Sequence, residues 1–177
     1  MLMVSLLMCL HGAAQAQECL IGVYADPEGT LLCLDPPGSG FSLYVVMSVE
    51  NTVAAAAYSL TYGPGMFVQA RFSGPSGTGL VIDEPTGTNV ALGECVIGFG
   101  GAPVLIDEYQ FAMFSGQSGE WVDVGPNTSQ NPDYPVYVTC NDLTTECAFD
   151  EPLLVSWFCT VPADSRSFGS VKSLFYD

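Results

Sequence analysis

Nineteen carboxylates, seven cysteines and a lone histidine are the groups that could do chemistry in this 177-residue chain. The histidine, His11, lies in an N-terminal stretch, MLMVSLLMCLHGAAQAQ, whose apolar run Met1 to Leu10 precedes Ala14-Gln15-Ala16. That pattern is a secretory signal peptide over residues 1–16, with Gln17 as the first mature residue. It lacks the usual basic n-region and is too short for a membrane span. Its removal takes His11 and Cys9 with it. A chain without histidine has no Ser-His-Asp or Cys-His nucleophile, no imidazole acid or base and no histidine metal triad. Only three residues are basic and the net charge is −16, which excludes a nucleic-acid footprint.

Cys19, Cys33, Cys95, Cys140, Cys147 and Cys159 remain. An even set in an exported chain reads as up to three disulfides. Cys19 with Cys33 is one local pairing, bracketing an apparent hairpin and stabilising by about 3 kcal/mol on the chain-entropy estimate. Cys140, Cys147 and Cys159 can bridge among themselves or back to Cys33 or Cys95. Zinc is disfavoured, because no C-x-x-C pair and no mature histidine exist.

The carboxylates allow two further chemistries. Glycoside hydrolysis needs two acids facing one cleft. Asp83/Glu84 and Asp107/Glu108 are the sequence pairs, and strand alternation turns Glu94 and Asp107 inward. Adjacent acids on a strand face opposite sides, so neither pair alone is an acid–base couple, and solvent-facing acids are the favoured reading. Calcium needs six to eight oxygens. Asn127, Asn131 and Asp133 form one such loop, and Asp142, Glu146, Asp150 and Glu151 another. The weak metal ligands are thus Asp133, Asp142, Glu146 and Asp150, and no other cofactor is expected. Asn127-Thr128-Ser129 fits a glycosylation sequon. Trp121 and Trp157 could stack on sugars, but both lie in apolar strands and read as core.

The elements that must position these groups are strands. Phe41, Leu43, Val45, Met47 and Val49 recur with period two, as do Ala54, Ala56, Tyr58, Leu60 and Tyr62. Val68, Ala70 and Phe72 alternate with Gln69, Arg71 and Ser73. Further strands are expected at 20–24, 30–34, 80–82, 90–99, 104–114, 120–124, 136–140 and 153–161. Gly/Pro-rich turns separate them, at 35–40, 63–65, 73–79 and 125–132. The fold class is therefore all-β: a two-sheet antiparallel sandwich, jelly-roll or Ig-like, over residues 17–163. Residues 164–177 form a tail in which Phe168, Val171, Leu174 and Phe175 have the spacing of a short amphipathic helix. It carries Arg166 and Lys172, whereas residues 17–165 carry only Arg71.

The stretch FSLYVVMSVENTVAAAAYSLTYGPGMFV, Phe41 to Val68, resembles the opening of cohesin-type domains. Tyr62-Gly63-Pro64 stands where the family has a Tyr-Asp-Pro-like corner. Asn89 to Gly98 with Val104 to Phe114 is similar to the hairpin in the second half of such domains. Ile21-Gly22-Val23-Tyr24-Ala25-Asp26 resembles an element of secreted bacterial proteins. The resemblance implies a jelly-roll-like sandwich that binds other macromolecules, though no dockerin-recognition residue can be matched. The expectation is a secreted or envelope-associated, extracellular or periplasmic, non-enzymatic binding or structural module. Its partner is an extracellular protein or polysaccharide, and a basic protein or a cation-bridged one suits the acidic surface. A small carboxylate-dependent glycan hydrolase is the alternative.

Overall fold

A strand with apolar side chains at alternate positions has one face to hide, and two sheets of such strands hide their faces against each other. The computed structural model describes residues 19–35, 40–98, 102–114, 120–141 and 143–155. The leader, Trp157, Cys159 and the tail at 164–177 lie outside them. The described residues contain strands and no helix. The strands are β1 (Cys19–Tyr24), β2 (Cys33–Leu34), β3 (Phe41–Val49), β4 (Thr52–Tyr62), β5 (Met66–Ser73), β6 (Leu80–Glu84) and β7 (Gly87–Ile97). They continue with β8 (Pro103–Met113), β9 (Glu120–Gly125), β10 (Val136–Val138), β11 (Thr144–Glu146), β12 (Ala148–Phe149) and β13 (Leu153–Val155).

One sheet has the order β12-β1-β3-β8-β5. The other runs β11-β10-β4-β9-β13-β2, with β7 pairing β4 and β6 pairing β7. The pairing is antiparallel except for β1 with β12 and β13 with β2, which are parallel. Ile21, Leu43, Met47, Ile106 and Phe111 of the first sheet meet Val53, Tyr58, Leu92, Val122 and Leu153 of the second in one core. Leu43, Val45, Met47 and Val49 are all buried, as their period-two spacing requires.

Two irregularities redirect side chains. In β8, Asp107 pairs with Val45 and Leu105 with Val46, so Ile106 is the extra residue of a bulge. Ile106 and Asp107 consequently both point into the sandwich and are fully buried. In β5 the register slips between Val68 and Ala70. Strict alternation would separate Val68 from Arg71 and Ser73. The bulge instead sets Val68, Arg71 and Ser73 opposite Phe111, Tyr109 and Asp107, all on the inner face. Phe72 is left 45% exposed on the outer face.

Cys19 is bonded to Cys147 and Cys95 to Cys140. The local Cys19–Cys33 pairing is therefore not formed. Its supposed hairpin is absent, because β1 pairs with β3 and β12 whereas β2 pairs with β13. Cys33 is itself in a disulfide. Strands β11 and β12 were not expected. Thr144-Thr145-Glu146 is short and polar, with no periodicity to betray it.

Candidate functional site

Arg71 enters the sandwich from β5 and collects the two acids of interest. Its Nε and Nη2 donate to Asp107 at 3.0 and 2.8 Å. Nη1 donates to Asp83 at 2.8 Å and to Thr88 at 2.9 Å across the gap between the sheets. Tyr58 and Ser73 hydroxyls also donate to Asp107, and Thr88 donates to Asp83. The guanidinium lies 5.0 Å from the Tyr109 ring centroid. Burial opposes the charge on Arg71, but its hydrogen bonds to Asp107 outweigh that and hold it protonated. Burial, with the neighbouring Tyr109 and Asp107, raises the Tyr58 phenol well above the usual tyrosine range. Burial and Asp107 do the same for Tyr109. No fully buried side-chain polar atom among the described residues lacks a partner. This is a satisfied structural network. Asp83 and Asp107 converge on one guanidinium, not on a substrate cleft.

The other acids disperse. Glu94 is exposed, contrary to the inward orientation that alternation predicts, because β7 is irregular where it passes Val53 to Ala55. Glu108 accepts from Ser42 at 2.7 Å. Asp150 accepts from Tyr24 beside the first sheet, and Asp133 is exposed in a turn. Glu146 accepts from Asn131 at 2.8 Å, and Asp142 lies outside the described residues. Among the described residues no three His, Cys, Asp or Glu side chains gather. Trp121 is not core: Val122 takes the inward position, leaving Trp121 41% exposed.

The outer face of the second sheet carries what sequence reasoning missed. Register aligns Leu80, Ala91, Ala55, Val138 and Thr144 in one row across β6, β7, β4, β10 and β11. The next row on that face is Ile82, Asn89, Ala57, Val136 and Glu146. Alanines make a low floor between walls of Leu80 and Ile82 on one side and Val136 and Val138 on the other. The result is a trough of about 180 Å³. Leu80 and Ile82 remain 65% and 54% exposed.

A loop after β9 closes one end. Asn127 anchors it, fully buried, donating to the Thr88 carbonyl and Asn89 Oδ1 and accepting from the Thr86 hydroxyl and the Ser129 N–H. The enclosed amide of Asn127 is unsuited to the glycan its sequon suggests. Gly87 beneath it has φ of +149°, and a Cβ there would meet Asn127 Cβ at 2.8 Å. From this anchor Ser129 donates to Glu84 at 2.6 Å and Asn131 donates to Glu146, so a carboxylate stands on either side of the closed end. The Cys95–Cys140 disulfide lies towards the other end, where Cys140 N–H donates to Thr52 Oγ1.

No protein family's sequence profile matches the chain, and no curated protein matches it in sequence. Solved structures do match. The cohesin module of a family 33 glycoside hydrolase from Clostridium perfringens has a TM-score of 0.51 at 11% identity, covering 77% of this chain and 97% of its own. CaCohA2 from Clostridium acetobutylicum, solved in solution, has 0.50 at 11% identity, covering 81% and 94%. CaCohA2 in its complex with CaDoc0917 has 0.49 at 13% identity, covering 78% and 99%. This chain is distantly similar in structure to cohesin modules, and at these identities the likeness is one of fold.

Proposed function

We propose that the domain is an exported, non-enzymatic protein-binding module whose partner docks on the alanine-floored trough. The observation that carries this reading is the alanine-floored trough on a sheet face, whose wall residues Leu80 and Ile82 are more than half exposed. Contiguous exposed apolar surface with a polar rim is characteristic of interaction sites. A trough of about 180 Å³ is smaller than ordinary small-molecule pockets, at roughly 300–1,000 Å³, and suits a few side chains of a protein partner. The cohesin-like fold is consistent with such a role, since CaCohA2 is itself described in a complex with CaDoc0917. Export is supported by the leader sequence and by disulfides, which persist in oxidising compartments. N-terminal sequencing of the exported protein should begin at Gln17.

The test compares the full chain with Ile82→Asp as bait against the host's exocellular fraction. A protein retained by the parent and lost on Ile82→Asp supports the reading. Retention that is indifferent to Ile82→Asp, or retention of polysaccharide alone, overturns it.

A further inference from the structure

We infer that the free edge of β6 pairs with the same edge of a second copy of the chain, joining two domains through one continuous sheet. Among the described strands β6 pairs only with β7. Glu84 and Gly87 are partners across the turn Pro85-Thr86, so they exchange both N–H···O=C bonds with each other. Alternation back along the strand directs the N–H and C=O of Ile82 and Leu80 to β7. Those of Val81 and Asp83 point away from it. Nothing among the described residues hydrogen-bonds to these outward groups. The open stretch is bounded at Gly79, whose N–H donates to the Ser73 carbonyl at 2.7 Å.

Unpaired edges are usually blunted, because they template pairing with another chain. The edge strand β5 is bulged between Val68 and Ala70, β2 and β12 have two residues each, and β11 is polar. Strand β6 has none of these devices: Leu80-Val81-Ile82 is apolar, regular in register and free of proline and lysine. Its acids are held, Asp83 by Arg71 and Thr88, and Glu84 by Ser129.

The occupant is a second copy because this edge is complementary to itself. With two β6 strands antiparallel about Ile82, Val81 of each faces Asp83 of the other. Every outward N–H then meets an outward C=O. Ile82 faces Ile82 of the second copy as a non-hydrogen-bonded pair, the kind with closer side chains, at about 4.5 Å between Cα atoms. That covers a side chain left 54% exposed in the single chain. Leu80 faces Glu84 and Val81 faces Asp83, so no carboxylate stands directly opposite another. The net charge of −16 on each copy opposes the pairing at long range, and salt screens that opposition. The dimer uses the backbone edge of β6 and leaves the trough floor open.

Sedimentation of the purified protein over a concentration series should show a monomer–dimer equilibrium. It should strengthen as salt rises from about 0.02 M to about 0.5 M. Amide exchange in the same samples should protect Val81 and Asp83 only as the dimer fills, whereas Leu80 and Ile82, bonded to β7, stay protected throughout. Val81→Pro removes an outward N–H and none that β7 uses, so it should weaken the dimer at least roughly tenfold. Ile82→Asp sets two carboxylates face to face and should abolish the dimer at low salt. Circular dichroism shows whether the variants fold, and the exchange readout needs only the parent protein. A monomer at every concentration and salt overturns the inference. So does a dimer that salt weakens, one in which Val81 and Asp83 stay unprotected, or one indifferent to a folded Val81→Pro.

Discussion

The space between the sheets beside β5 and the outer face of β4 invert the usual distribution of polarity. Inside, Arg71, Asp107, Tyr58, Ser73 and Thr88 make a polar cluster with every buried polar atom partnered. Outside, Leu80, Ile82, Val136 and Val138 stand around bare alanines. Residue type alone therefore does not distinguish what holds this molecule together from what it offers to others. The polar groups are kept inside because each charge is hydrogen-bonded, and an unpaired partner there would be costly. Leu80 and Ile82, more than half exposed, stabilise little where they are, so their burial free energy is available to an interaction.

The sharpest way to break this contrast is Arg71→Met, which strands Asp107 at 0% exposure without its cation. Urea denaturation should show a loss of about 3–5 kcal/mol, partly recovered in Arg71→Met/Asp107→Leu. Equal loss in the double variant would mean that the cluster's shape matters more than its charge balance. Replacing Cys95 and Cys140 together by alanine should cost about 2–4 kcal/mol in the same assay, and thereby shows what the disulfide near the trough contributes.

Alkaline titration separates the regions next. Tyr58 and Tyr109 have folded pKa values raised by burial above their unfolded value of about 10. Their contribution is fully present below pH 10 and is lost as pH rises from there towards the folded values. Stability should thus be level through neutrality and fall above about pH 10, and Tyr58→Phe/Tyr109→Phe should flatten the fall. A fall unchanged in that variant would place the alkaline sensitivity elsewhere. The smallest effect belongs to the outer face. Leu80→Ser should change stability by no more than about 0.5 kcal/mol while weakening capture of the trough's partner. A large stability loss would assign Leu80 to the fold instead of the site.

The strands were legible because period two is a local property. The face Leu43, Val45, Met47 and Val49 follows from spacing alone. The inward orientation of Asp107 was also expected, but the reason is the bulge at Ile106, which no local pattern announces. Gln69 does the same for Arg71, turning a residue that alternation leaves among polar neighbours into the centre of the buried network. Trp121 and Glu94 went the other way, because the facing of a side chain follows the pairing register and not its hydropathy.

By itself, then, the sequence determined that this is a sheet protein with abundant negative charge and a single histidine. Tertiary structure decided that Cys19 reaches Cys147, 128 residues away, instead of its neighbour Cys33. It also decided that Ala55, Ala57 and Ala91 become one floor. These outcomes depend on cross-strand register between segments far apart in the chain, which is set by the joint burial of both inner faces and cannot be read from any one strand.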